Sequence, residues 1–120
     1  MNAVTYSDQR TVEFVKDYMI PLRVIVGEDR FMSTKFRIQY TPTIVMLDGD
    51  GKELYREVGF HPLEEFVPML MLGIGKAYTN ANRCDKALKI LTKLIDRYPA
   101  SKSIPSAASL KEFCLKRLPP

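Results

Sequence analysis

The chain has 120 residues, 46% apolar and 27% charged, the make-up of one globular domain of ordinary size, which excludes disorder, collagen and low-complexity sequence. No apolar run nears the ~18 residues of a membrane span and residues 1–10 carry no signal-peptide core; two cysteines and one histidine, His61, exclude a disulfide framework and a four-ligand zinc site. The net charge of +4 is split: residues 1–75 hold 8 Lys/Arg and 11 Asp/Glu, for −3, and residues 76–120 hold 10 and 3, for +7, so two structural units are expected.

Ser7-Asp8 supply N-cap chemistry, and Val12, Phe14, Val15, Tyr18 and Met19 repeat at three- and four-residue spacing, which predicts a helix over residues 8–18. After Pro21, the β-branched run 22–26, closed by Gly27, predicts a strand. Residues 28–39 predict a helix of about two turns. Thr41-Pro42-Thr43-Ile44-Val45-Met46-Leu47 reads as a second buried strand, entered through a proline. Asp48-Gly49-Asp50-Gly51 then turns the chain into a hairpin, because Gly tolerates the positive φ of tight turns, and residues 52–58 form the return strand. Gly59 ends it, and Pro62 with Glu64-Glu65 suits the start of a helix.

Helical periodicity fills the remainder. Met71, Ile74, Gly75 and Tyr78 fall on one helix, and Ala87, Leu88, Leu91, Leu94 and Ile95 on a second beyond Thr79-Asn80-Ala81-Asn82. Small Gly73, Gly75, Ala77 and Ala87 predict close helix approach despite their propensity cost. A third amphipathic helix over 105–118 carries Ala107, Leu110, Phe113, Cys114 and Leu118. Pro68 predicts a kink or break in the helix begun at Pro62, and the unit boundary is drawn there, giving units 1–67 and 68–120.

Phe36-x-Ile38-x-x-Thr41-Pro42-Thr43, Leu47-Asp48-x-x-Gly51-Lys52-Glu53 and Gly59-Phe60, with the Tyr6-Ser7-Asp8 helix start and the 21–26 strand, follow the order helix, strand, helix, strand, hairpin strand, helix. Over residues 3–70 the chain resembles the C-terminal two thirds of a bacterial thioredoxin-like domain, so the fold class expected is α/β (α+β): a partial thioredoxin-like fold with a C-terminal helical hairpin plus one further helix. From the residues alone Thr41-Pro42 is either a trans proline opening a strand or a cis bond. The resemblance implies cis, with the backbone before Pro42 pairing with an extended substrate; Tyr40, Thr41 and Pro42 are the expected substrate- or partner-binding residues.

The resemblance also marks a departure. The family's Cys-x-x-Cys belongs just upstream of the segment matching residues 3–6, where only Met1 and Asn2 stand. Cys84 and Cys114 fall outside the matching region, on different predicted helices, and read as small buried hydrophobes; no catalytic residue is assigned. In the family the strand before the active site lies between the strands matching 22–26 and 43–47. Without it these strands pair directly, or another chain fills the gap, or the sequence is a truncated piece of a longer protein, the reading favoured here, with direct pairing or dimerisation through exposed strand edges as its consequence.

Residues 68–99 resemble one tetratricopeptide repeat, with Gly75, Tyr78, Ala87, Leu91 and Pro99 at its marked positions and the aromatic near Met71 missing. Gly73-Ile74-Gly75-Lys76 lacks the earlier Gly and following Ser/Thr of a phosphate loop. Lys86, Lys89, Lys93 and Arg97 form a basic stripe without interleaved aromatics, read as a solvated face and not a nucleic-acid surface. His61 receives no role. Two functions are therefore expected: a protein-binding or scaffolding module in the cytoplasm, redox-inactive and without cofactor or metal, taking protein or peptide segments as partners; or a thiol–disulfide oxidoreductase whose catalytic segment is missing from this chain.

Overall fold

A computed structural model of the protein describes residues 8–20, 30–38 and 42–118. In chain order these form α1 (Gln9–Tyr18), α2 (Arg30–Lys35), β1 (Thr43–Leu47), β2 (Glu53–Val58), α3 (Leu63–Asn80), α4 (Cys84–Arg97) and α5 (Ile104–Arg117). This is a mixed helix-and-strand α+β architecture, in which two helices and an antiparallel hairpin are followed by a long helix, a second helix that forms a hairpin with it, and one more helix. The strand expected over 22–26 lies outside the described residues. Among the described residues no helix is long and apolar enough to cross a membrane.

Helix α1 starts where the side chain of Asp8 accepts a hydrogen bond from the Arg10 amide at 3.0 Å, satisfying one of the orphan donors of the first turn. β1 and β2 pair antiparallel, with Thr43 opposite Val58 and Met46 opposite Tyr55, and the register slips between Met46 and Leu47. The turn is built as the sequence requires. Asp48 Oδ1 accepts from the amides of Asp50 and Lys52, each at 2.9 Å, and Gly51 takes φ +86°, open to glycine without strain. β1 is half-buried along most of its length, so the expectation of a buried strand is corrected, with α3 packed against it.

On the covered face, Ile44 and Met46 pack with Phe14 and Val15 of α1 against Phe66, Met69 and Leu70 of α3. Val67, Met71 and Leu72 point the other way, into a second core with Ala87, Ile90, Leu91 and Leu94 of α4 and Ala107 and Cys114 of α5. One helix thus supplies both cores. The break expected at Pro68 is absent, and α3 runs unbroken through it. The missing Pro68 N–H would have bonded the Glu64 carbonyl in the first turn, so one bond is lost near an end. The ring is itself fully buried, which offsets that loss.

The α3–α4 turn is closed as a Schellman motif: Asn82 takes φ 65°, its amide bonds the Thr79 carbonyl at 3.1 Å, and the Arg83 amide bonds Tyr78 at 2.8 Å. Thr79 and Asn80, expected in the connection, belong to α3. Gly75 meets Leu91 of α4, as close helix approach predicts, whereas Gly73 faces the sheet, where an added Cβ would come 2.8 Å from the Tyr55 ring. On α5, Ala107 and Cys114 are buried while Phe113, expected on the same face, is turned outward. At the other end, Glu65 accepts from Ser101 Oγ at 2.6 Å and the Lys102 amide at 3.1 Å, tying the start of α3 to the α4–α5 connection.

Candidate functional site

Of the three residues the sequence selects, Tyr40 and Thr41 lie outside the described residues, and with them the Thr41–Pro42 bond expected to be cis. Pro42 sits immediately before β1, and its carbonyl accepts a hydrogen bond from the Gly59 amide at 2.8 Å. Gly59 has φ +107°, a conformation open to glycine, and this lets the chain leave β2 while still bonding back to Pro42. The same junction presents apolar surface. Val58, opposite Thr43, is 48% exposed, and Phe60 is 62% exposed.

Arg56 braces this end of the sheet from the outer face. Its guanidinium pairs with Glu53 at 2.8 Å, donates to the Arg37 carbonyl at 3.4 Å and also donates to the Phe36 carbonyl. The segment after α2 is thereby fixed to β2, and Arg37 within it takes φ 52°. The hydrogen bond from Arg56 holds the Glu53 carboxyl below its ordinary pKa of 4.5.

On the inner face, Tyr55, Glu57 and His61 form a chain that sequence reading left without a role. The Tyr55 hydroxyl donates to Glu57 Oε2, and His61 Nε2 lies 3.1 Å from Glu57 Oε1. Burial, together with the hydrogen bond to Glu57, pushes the Tyr55 hydroxyl well above its usual pKa. Lys76 Nζ stands 5.2 Å from the centre of the Tyr55 ring. Residues at positions i and i+2 of a strand share a face, which places Tyr55 beside Glu57, but the arrival of His61 and Lys76 depends on how α3 crosses the sheet. The cluster holds a carboxylate, an imidazole and a phenol with no cysteine beside them. Among the described residues no group of three His, Cys, Asp or Glu could hold a metal ion.

A second surface lies on the helical side. An open groove of about 480 Å³ runs along Lys76, Pro105, Ser106, Ser109, Leu110 and Phe113. The basic stripe of α4 is partly engaged by tyrosines: Lys93 donates to the Tyr18 hydroxyl at 2.6 Å, and Lys86 lies 5.7 Å from the Tyr78 ring centre. Those tyrosines come from α1 and α3, so the sequence of α4 alone shows no interleaved aromatic.

Searches of curated proteins and of solved structures each returned no match. The family model of the thioredoxin-like domain matches residues 3–73. That span takes in α1, α2, the β-hairpin with Pro42 at its mouth, and α3 as far as Gly73, the residue seated on the sheet. It covers more than half of the chain, and the protein belongs to the thioredoxin-like domain family.

Proposed function

We propose that this chain is a protein-binding module of the thioredoxin-like family that holds extended peptide segments at Tyr40, Thr41 and Pro42 without thiol chemistry of its own. The observation that carries the reading is the Pro42 junction. A proline at the mouth of a half-buried strand is flanked there by exposed Val58 and Phe60, inside a family segment that contains no cysteine. Exposed apolar side chains next to a strand edge suit an extended partner, whose backbone adds to the edge while its side chains meet the patch. The units 1–67 and 68–120, the second like a single tetratricopeptide repeat, are part of the proposal, as are cytoplasmic location and pairing of two copies through strand edges. α3 then acts as the shared helix of both units.

Family membership supports a second reading, in which the domain serves a thiol–disulfide oxidoreductase and the nucleophilic cysteine comes from outside these 120 residues. Both readings keep Pro42 as a binding residue. Phe60→Ala separates binding at this junction from binding elsewhere. On an immobilised library of extended peptides, the variant is expected to bind about tenfold more weakly, since truncation of an interface anchor costs ~1–2 kcal/mol. Its circular dichroism should match the parent. Undiminished peptide binding by a folded Phe60→Ala would move the partner surface away from Pro42.

A further inference from the structure

Phe113 belongs to neither core and is 44% exposed, turned away from the buried Ala107 and Cys114 of the same helix. The helix period puts Ser106, Leu110, Phe113 and Arg117 on one row of α5, four, three and four residues apart, with Ser109 beside them. Ser106, Ser109, Leu110 and Phe113 form one wall of the open groove of about 480 Å³, and α3 contributes Lys76. The Lys76 ammonium stands 5.2 Å from the centre of the Tyr55 ring, an attraction that holds it in place. Arg117 continues the α5 row, its guanidinium 5.1 Å over the Phe113 ring. No carboxylate is among the described residues that line the groove, and Glu112 is paired with Lys116 at 3.3 Å on another face of α5. The surrounding chain is positive as well, with 10 Lys/Arg against 3 Asp/Glu over residues 76–120, for +7.

We propose that this groove docks an acidic amphipathic helix of a partner protein, at a surface separate from the Pro42 junction. Its apolar content, its charge and its backbone each select that occupant. Leu110 and Phe113 offer an aliphatic and an aromatic anchor one helical turn apart, which suits an apolar row at i, i+3 or i+4 and i+7 on the partner. Lys76 and Arg117 flank those anchors, so carboxylates beside the partner's apolar row are attracted and cations are repelled. At Lys76, and from Ser109 to Phe113, the backbone groups are bonded within their own helices. The groove therefore has no strand edge there to pair with an extended chain, and a docked segment must satisfy its own N–H and C=O groups. A helix does so. The hydroxyls of Ser106 and Ser109 can donate to a carboxylate at the partner's border.

The test uses the full chain and a fluorescein-labelled helical peptide of about five turns, with Leu along one face and Glu, Ala and Gln elsewhere, followed by fluorescence polarisation. Micromolar binding is expected at about 0.05 M salt, weakening about tenfold by about 0.5 M as the charges are screened. A peptide with Lys for Glu, and a scrambled one of the same composition without an apolar face, should each bind at least about tenfold more weakly. Phe113→Ala and Lys76→Glu should each weaken binding about tenfold, with circular dichroism like the parent's. Lys89→Glu makes the same change in net charge on α4, outside the groove lining, and should stay within about twofold. No binding up to about 1 mM peptide, equal binding of the scrambled peptide to the parent chain, or an equal loss in Lys89→Glu would each overturn the proposal. So would a dimer in sedimentation equilibrium that Phe113→Ala abolishes, because a second copy would then hold the groove.

Discussion

Gly75 and Thr11 show how single atoms set the packing of this chain. A Cβ at position 75 would lie 2.7 Å from Leu91 Cδ2 and 3.0 Å from its Cγ, and Leu91 is fully buried. Gly75→Ala gains about 1 kcal/mol of helix propensity but forces α3 and α4 apart, at ~1–3 kcal/mol for overpacking. A net loss of about 1 kcal/mol in a urea melt is the expected outcome. Thr11 gives the opposite sign. Its hydroxyl is buried with no hydrogen-bond partner among the described residues, and Val has nearly the same shape. Thr11→Val should raise stability by about 1 kcal/mol, because an unsatisfied buried polar group disappears. Neither effect is legible in sequence: Gly75 reads correctly as a contact glycine, but the same rule misplaces Gly73, which faces a strand and not a helix.

Among the elements, the hairpin and the three long helices were the most legible, because their signals are local. Asp48 and Gly51 specify the turn by their own hydrogen bonding and φ, and Asp8 caps α1 through an amide two residues away. The Arg56 brace was not legible, since its carbonyl acceptors lie about twenty residues upstream in a short helix end. That brace carries a pH signature. The Glu53 carboxyl has a folded pKa below 4.5, mainly through Arg56, so it adds stability above that pH and loses it as pH falls through the lower folded value. In Glu53→Gln the contribution is gone at every pH. The difference in melting temperature between parent and variant should therefore narrow from about pH 6 to about pH 3, and in 1 M salt it should shrink at the upper end, as for any exposed pair.

Across the whole molecule, α3 is the member on which the account rests. Its Phe66, Met69 and Leu70 complete the thioredoxin-like sheet, its Met71 and Leu72 nucleate the helical core, and the family match ends within it. Periodicity marks much of the helical core, through Met71, Ala87, Leu91, Leu94, Ala107 and Cys114, but not Phe66, Met69 and Leu70 beneath the sheet. The single helix joining the two cores is not legible in the sequence, because Pro68 reads as a helix breaker and the burial of its ring comes only with the fold. A Leu91→Ala variant should lose ~2–5 kcal/mol and, with α3 shared, should unfold hairpin and helices in one transition by both near- and far-ultraviolet circular dichroism. The central functional claim is that the family segment binds without thiol catalysis in this chain. Insulin reduction by dithiothreitol tests it most directly: adding the chain is expected to leave the rate of insulin precipitation at its uncatalysed value, and a catalytic acceleration at substoichiometric protein would contradict the account.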